Sequence, residues 1–417
     1  MQYRMISLPF APENGDPEIV LGDELGPYER DILGIYKWHE WRLFRWKGGN
    51  YQEYPQIEPF EPGKAFWLIV RKATRIGADG VSTDHTSPFR IKLQPGWNQI
   101  GCPFEWEVDW AGVQVEKDGE VFSISQVEET GVEERLVEYV AGGYRRAQKL
   151  KPWHGYWVHN RNDEDVTLIV PPPGAAKHVP HIVPEGWIAE LKAELGSFSD
   201  ADNRFGQVEG AEEGWDRWDA SEPPLPPERP KVRLYFAKEG QELSYDLRPP
   251  EGPQVWRFFV EAEGDVVLRA EGLPRGKEVY LMDMDDGNIW EISKGAYIYR
   301  SQGRREFRLV AGDAEQVLKV LSEVSPKEFM LGEPYPNPFN SMVVIPFSVS
   351  HPGEVEVAIY NLKGQVMWEY DGWFAPGWHK LVWDGRDMSG RKVGSGIYLV
   401  MVAAEDGKFA EKVAMVR

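Results

Sequence analysis

The chain has 417 residues, enough for about three or four domains of ordinary size. A formal net charge of -20, from 47 basic against 67 acidic side chains, excludes a nucleic-acid partner, because phosphate binding needs clustered lysine and arginine. Plentiful glycine and proline (42 and 32 residues) and 18 tryptophans, set among short apolar runs, predict a multidomain all-β protein.

The first residues, MQYRMISLPF, show no charged region followed by an apolar core, so no signal peptide is visible. Two stretches then echo each other at an offset of about 90 residues. MISLPF (5–10) matches NQIGCPF (98–104), an apolar strand ending in Pro-Phe. GGNYQEYPQIEPFEPGKAFWLIV (48–70) matches GGYRRAQKLKPWHGYWVHN (142–160), with a Gly-Gly turn, a proline turn and a strand carrying aromatic-Trp. These predict two repeated β modules, 1–83 and 84–175. In Phe66-Trp67 and Tyr156-Trp157 the neighbours point to opposite faces of a strand, one into the core and one toward a second module or solvent. The second module opens with a strand, FRIKL (89–93), for which the first has no counterpart. The expectation is an upstream start that supplies strand and signal peptide, the alternatives being another segment of the chain or a strand from a neighbouring molecule.

The only cysteine, Cys102, rules out an intrachain disulfide and reads as a buried apolar residue. The longest apolar runs, 65–70 and 397–404, are far shorter than the ~20 residues that span a bilayer. His154 and His159 flank a strand; His178 and His181 sit in a proline-rich stretch (170–186) that reads as a boundary. Residues 176–326 are expected to be this linker plus a β-sandwich. It begins with a strand, WIAELKAEL, followed by a long acidic loop from 196 to 230 and then seven or eight short strands. Residues 315–324 read as a short helix or a last strand.

Oxygen-rich clusters make Asp200, Asp202 and Asn203 candidate Ca²⁺ ligands, and Asp283, Asp285, Asp286 and Asn288 weaker ones; neither run has the EF-hand glycine spacing. No other cofactor is expected. Asp216, Asp219 and Glu222 could supply paired carboxylates for glycoside hydrolysis, against the plainer reading of a solvated acidic loop. Trp41, Trp46, Trp153, Trp215 and Trp218 stand in polar contexts and are candidate sugar-stacking platforms. No nucleophile elbow, phosphate loop or dinucleotide fingerprint occurs.

The last ninety or so residues form the most regular stretch. In YPNPFN (335–340), Pro336 and Pro338 forbid helix, and Asn337 and Asn340 suit turns; the run that follows alternates apolar residues at 343, 345, 347 and 349. Residues 353–370 read as a hairpin turned at NLKG, and Asp384, Gly385, Asp387 and Gly390 as turn residues. The motifs YPNPFN, IYNLKGQ (359–365) and GWHKLVWDGRDMSGRKVGSGIY (377–398), with the basic residues Lys412 and Arg417, resemble the C-terminal sorting domain of type IX secretion cargo. A sister sandwich is the immunoglobulin-like domain of the flagellar hook-capping protein, and the upstream modules resemble β modules of such cargo. The resemblance covers about 327–417 and implies an Ig-like sandwich read by an outer-membrane translocon. Its motif residues here are Tyr335, Pro336, Asn337, Pro338, Phe339, Asn340, Gly364, Trp383, Asp384, Gly385, Asp387, Gly390, Gly396, Tyr398 and Lys412.

The resulting expectation is a non-catalytic protein, secreted or at the outer surface of a Gram-negative bacterium, with a structural, adhesive or assembly role. Its partners would be the type IX translocon and surface polysaccharide or further copies of itself, with no membrane span. The alternatives are a carbohydrate-binding protein using exposed tryptophans and a hydrolase.

Overall fold

The computed structural model describes residues 3–26, 41–72, 75–140, 142–172, 174, 184–324 and 328–416. His178, His181 and Arg417 lie outside the described residues. Strand accounts for 55% and helix for 8%, an all-β protein. No described helix is long and apolar enough to cross a membrane. The chain divides into two compact units. The first holds residues 1–250, 261–271 and 298–303, the second 251–260, 272–297 and 304–417. The stretch 176–326, expected as one sandwich, is therefore shared between the units, and the long strands Gln254–Glu271 and Tyr297–Gly312 contribute to both.

In the first unit, Arg4–Ser7, Ala65–Val70, Trp41–Lys47 and Asn50–Glu53 form an antiparallel sheet in that order. Gly96–Gly101, Gly155–Asn160, Leu136–Val140 and Gly143–Ala147 form a second with the same order. Trp67 pairs with Met5 and Phe44; Trp157 pairs with Gln99 and Val137. The two tryptophan strands are thus equivalent in topology and register.

Strand alternation then sorts the aromatic neighbours. Phe66 packs with Leu8, Val20, Leu21 and Leu43, and Tyr156 with Leu93, Cys102 and Leu136, each inside its own module. Trp67 and Trp157 turn the other way into one shared layer with Tyr3, Met5, Phe44 and Val137. Contacts in this layer come in matched pairs. Trp46 meets Trp157 edge-on at 5.7 Å, and Tyr139 meets Trp67 at 4.9 Å. Tyr3 lies 6.3 Å from Trp67, and Trp97 lies 6.2 Å from Trp157. Ser7 N donates to Trp153 O (3.3 Å) and Gly101 N to Gly63 O (3.0 Å). Such reciprocity is the signature of a pseudo-two-fold relation between the modules, the intrachain analogue of an isologous dimer contact.

The modules differ in their second sheets. Phe89–Leu93 pairs with Val166–Val170, which pairs with Gln114–Lys117 and then Glu120–Ser123. In the first module Phe10–Pro12 pairs only with Gly80–Ser82. No described strand takes the place of 89–93 there, and Val81 is 70% exposed.

Within the first unit the middle strands begin with Gly186–Leu195, which pairs with Phe198–Val208 and with 267–271. The start of the expected acidic loop is thus a strand, Phe198–Val208, which also runs parallel to Gln241–Arg248. Local propensity disfavours strand for Asp200, Asp202 and Asn203, but each carboxylate accepts from a distant donor and burial of Phe205 and Val208 drives the pairing. Further along, the proline-rich end of the acidic loop, PPLPP (223–227), is tethered to both modules. Tyr51 Oη donates to Leu225 O (2.7 Å), and its topological counterpart Tyr144 donates to Pro224 O.

In the second unit, 315–324 proves to be part of a helix, Ala314–Val324, burying Val317 and Leu321 against Tyr280, Met282 and Val310. After it comes a two-sheet sandwich. Met330–Leu331, Val343–Val349 and Gly377–Trp383 form one sheet; Val366–Phe374, Gly353–Asn361, Gly396–Ala404 and Gly407–Met415 form the other. Inward residues of both, among them Val343, Ile345, Phe347, Val357, Val400 and Val413, make the core.

Candidate functional site

The YPNPFN segment is where the C-terminal sandwich closes on itself. Tyr335 exchanges both backbone hydrogen bonds with Val344 (3.0 and 2.8 Å), fixing the entry to strand Val343–Val349. Asn337 reaches the final strand instead: its Nδ2 donates to Lys412 O (2.9 Å) and its Oδ1 accepts from Ala414 N (2.9 Å). Phe339 continues that clip through Ala414 O (2.9 Å) and Val416 N (2.8 Å). The peptide bonds before Pro336 and Pro338 are cis. The Phe339 ring is 2% exposed and packs 5.5 Å from Trp383. Tyr335, Asn337 and Asn340 are exposed, so part of the motif builds the domain and part faces outward.

The other motif residues shape turns. Asn361 accepts from Lys363 N (2.9 Å) and Gln365 N (3.0 Å), and Gly364 takes φ +78°, where a side chain would strain the turn. Asp384 accepts from Arg386 N (3.1 Å), and Trp383 Nε1 donates to Arg386 O (2.8 Å). Gly385, at φ +69°, would put a Cβ 2.9 Å from Met415 Cε. Asp387 accepts from Ser389 N and Oγ and from Arg391 N, and the Ser389 hydrogen bond leads the interactions that hold its carboxyl at about 2. Gly390 N donates to Asp387 O (2.8 Å), closing the turn. Gly396 opens the next strand, in which Tyr398 Oη donates to Gly394 O (2.7 Å). Lys412 is exposed.

This sandwich is not isolated from the rest of its unit. On the free side of Gly377–Trp383, Trp378 N donates to Gly287 O (3.1 Å), and Lys380 Nζ lies 3.4 Å from Asp286. Ala375 joins Tyr280, Met282, Ile289, Val317 and Leu321 in one core. The Asp283–Asn288 cluster serves this junction. Asp283 grips Arg305 Nε (2.9 Å) and Nη2 (2.6 Å) and accepts from Tyr297 Oη (2.8 Å).

The candidate Ca²⁺ ligands lie in strand Phe198–Val208, where protein donors meet both carboxylates while Asp202 Oδ2 and Asn203 Oδ1 accept no hydrogen bond. Asp200 accepts from Asn203 Nδ2 (2.7 Å) and Leu234 N (2.8 Å), and Asp202 from Tyr245 Oη (2.8 Å). Among the described residues no group of three or more His, Cys, Asp or Glu converges as metal ligands. The candidate hydrolytic carboxylates are likewise engaged. Asp216 accepts from Glu212 N and Trp218 N; Asp219 accepts from Leu247 N (3.1 Å), Asp216 N (3.1 Å) and Lys238 Nζ (3.0 Å); Glu222 accepts from Ser244 Oγ. Burial pushes Asp219 up to about 7 against the pull of Lys238.

Of the candidate platforms, Trp41 is buried, with Nε1 on Gly26 O (3.0 Å), and Trp46 belongs to the inter-module layer. Arg161 lies over the Trp215 ring and Arg217 over Trp218, each at 4.5 Å. Trp153 is 38% exposed, edge-on to Phe10 at 5.6 Å.

One cluster had no linear signature. Glu133, 3% exposed, accepts through Oε1 from His159 Nδ1 (2.8 Å), Arg161 Nε (3.3 Å), Ser221 N (3.1 Å) and Ser221 Oγ (2.9 Å). Burial alone would raise its pKa, but the His159 hydrogen bond and the charges of His159, Arg161 and Arg135 prevail and hold it at about 2. The composition resembles a nucleophile–base–acid triad, yet the geometry does not. Serine and carboxylate meet the same histidine nitrogen, and the serine hydroxyl bonds the carboxylate directly.

Residues 333–416 match the family model described as secretion system C-terminal sorting domain. No curated protein matches the chain. Among solved structures it is similar to PorZ, described as an essential bacterial surface component of the type-IX secretion system of Porphyromonas gingivalis, with 21% identity over 29% of this chain and a TM-score of 0.18. It is also similar to dimeric latent PorU from Porphyromonas gingivalis, with 12% identity over 81% of this chain and a TM-score of 0.18. A third is a polysaccharide lyase, with 6% identity over 55% of this chain and 40% of that one, and a TM-score of 0.19. The chain spans 15% and 30% of the length of the first two. The C-terminal sandwich, closed by its Asn337 and Phe339 clip, is thus a type IX sorting domain, the mark of secreted or cell-surface cargo.

Proposed function

We propose that the body of the chain is a non-catalytic structural or assembly element of the cell surface, delivered there by its sorting domain. The observation that carries this reading is the state of the candidate catalytic groups. Asp216, Asp219 and Glu222 are each bonded to donors of the fold, and the Glu133–His159–Ser221 cluster is wired to itself. Catalytic acids instead need geometric access to a reacting atom. The reciprocal aromatic layer supports the same reading, since it makes two modules into one rigid support. The partners proposed are the translocon and surface polysaccharide or other copies of the chain.

The test has two arms. In a type IX host, deleting the chain should alter surface assembly or adhesion, and the double variant Asp219→Asn, Glu222→Gln should restore it as well as the parent does. Purified protein should degrade neither polysaccharide nor peptide. Turnover that disappears in the double variant would overturn the proposal.

A further inference from the structure

We infer that the first unit binds a sugar acid, a ring carrying both a carboxylate and hydroxyls, in a cavity between the short helix Val127–Thr130 and the middle strands. The cavity measures about 250 Å³, room for roughly one such ring. Glu133, Arg135 and Arg146 line one side; Arg204, Trp218 and Tyr245 line the other.

What singles this cavity out is unused polar capacity in side chains that are already buried. Arg135 is 4% exposed. Its Nη2 donates to Ser221 O (2.5 Å) and its Nη1 is ion-paired with Asp202 (3.6 Å), but Nε makes no hydrogen bond. Glu133 crowds four donors onto Oε1 and leaves Oε2 with none. Trp218 Nε1 is buried without an acceptor. Buried groups with unmade hydrogen bonds favour a ligand that accepts and donates together.

The sign of the missing charge follows from the neighbours. Of the other acids lining the cavity, Glu128 is held by Arg217 (2.9 Å), Glu134 lies 3.8 Å from Arg146, Asp219 is held by Lys238 (3.0 Å), and Glu129 is exposed to solvent. Arg204, stacked over Tyr245 at 5.1 Å, has no side-chain hydrogen bond or ion pair among the described residues. The Arg135 guanidinium lies over the same ring at 4.9 Å. The Arg204 guanidinium suits a carboxylate, which arginine meets in a planar fork. Glu133 Oε2 suits a hydroxyl, and the Trp218 N–H a further oxygen of the ligand. A bare anion would leave Glu133 unmet, and a neutral sugar would leave Arg204 unmet.

Isothermal titration calorimetry of the full chain with D-glucuronate, D-glucose and acetate tests this. Glucuronate should bind at least about tenfold more tightly than either of the others, as one unmade hydrogen bond to a charged group implies. Arg204→Gln and Trp218→Phe should each weaken it by about tenfold with an unchanged melting temperature. Methyl β-D-glucuronide separates two sources of the same chemistry. Binding as tight as the free acid assigns the site to a polysaccharide chain end, and loss of binding assigns it to the free acid. No heat with glucuronate, equal affinity for glucose or acetate, or affinity unchanged in both variants would each overturn the proposal. Should Arg204→Gln fail to fold, Trp218→Phe, which keeps the ring bulk and removes the N–H, decides alone.

Discussion

Gly101 faces Ser7 where the two modules meet, and a Cβ on Gly101 would sit 2.1 Å from the Ser7 Cβ and 2.8 Å from Lys64 O. Ser7 and Gly101 occupy matching positions in the two repeats, each donating its amide to the opposite module. Gly155 and Ala65 show the same relation, with a hypothetical Cβ at 2.7 Å from a real one. Near a pseudo-two-fold, identical positions meet each other, and only one of each pair can carry a side chain. The repeats therefore diverge at these positions for a steric reason.

Gly101→Ala should separate the sheets locally and cost about 1–3 kcal/mol, the usual penalty for overpacking. Adding Ser7→Gly should recover part of it, because Lys64 O still obstructs. Chemical denaturation of the two single variants and the double variant measures the coupling. A Gly101→Ala protein as stable as the parent would refute the close contact.

Asn337→Ala removes both side-chain bonds to the last strand. The loss should be about 1 kcal/mol, since the site is exposed and water can replace the partners. Phe339→Ala should cost about 3–5 kcal/mol through the cavity beside Trp383. Hydrogen exchange at the Ala414 and Val416 amides should quicken in both, and export by a type IX host should fall in the same order.

Lys238 sits between Asp219 (3.0 Å) and Asp246 (3.3 Å), with both carboxylates wholly buried. Lys238→Met should destabilise the first unit by about 3–5 kcal/mol, because it strands buried charge. The companion change Asp219→Asn should soften that loss, measurable as a coupling energy in a double-mutant cycle.

His379 tests pH dependence in the second unit. Burial between Phe347 and Phe374 lowers its pKa to about 4, and the ring bonds Ala375 O (2.7 Å). The unfolded chain takes up this proton near pH 6.5, but the folded chain only near 4. The associated stability is thus complete above pH 6.5 and is lost as pH falls toward 4, a change of about 3 kcal/mol. His379→Phe should flatten that limb of the stability profile. An unchanged slope would place its origin elsewhere.

The parts readable from sequence are those whose physics is local. The turns at Asn361 and Asp387 are built by side chains bonding amides two and four residues on, so spacing alone displays them. The outward turn of Trp67 and Trp157 follows from strand alternation. Strand Phe198–Val208 was hidden because Asp200 and Asp202 find their partners at Leu234 and Tyr245. The tryptophan candidates could not be sorted, since the arginine covering Trp215 comes from position 161. Glu133, His159 and Ser221 converge from three separate elements, and no motif spans such a distance. The docking of Gly377–Trp383 against Gly287 is equally silent in the sequence.

That docking bears on how cargo is inspected before release. Gly377 would carry any Cβ to 2.3 Å from the Ile289 side chain, so the address label is seated on the article it labels. The clip at Asn337 joins residues 75 and 77 positions apart and forms only when the last strand has returned. A chain without its last strand therefore lacks the closed clip. Trimming near 332 would remove the cover that Gly377 and Ala375 give Ile289, so taking off the label exposes apolar surface.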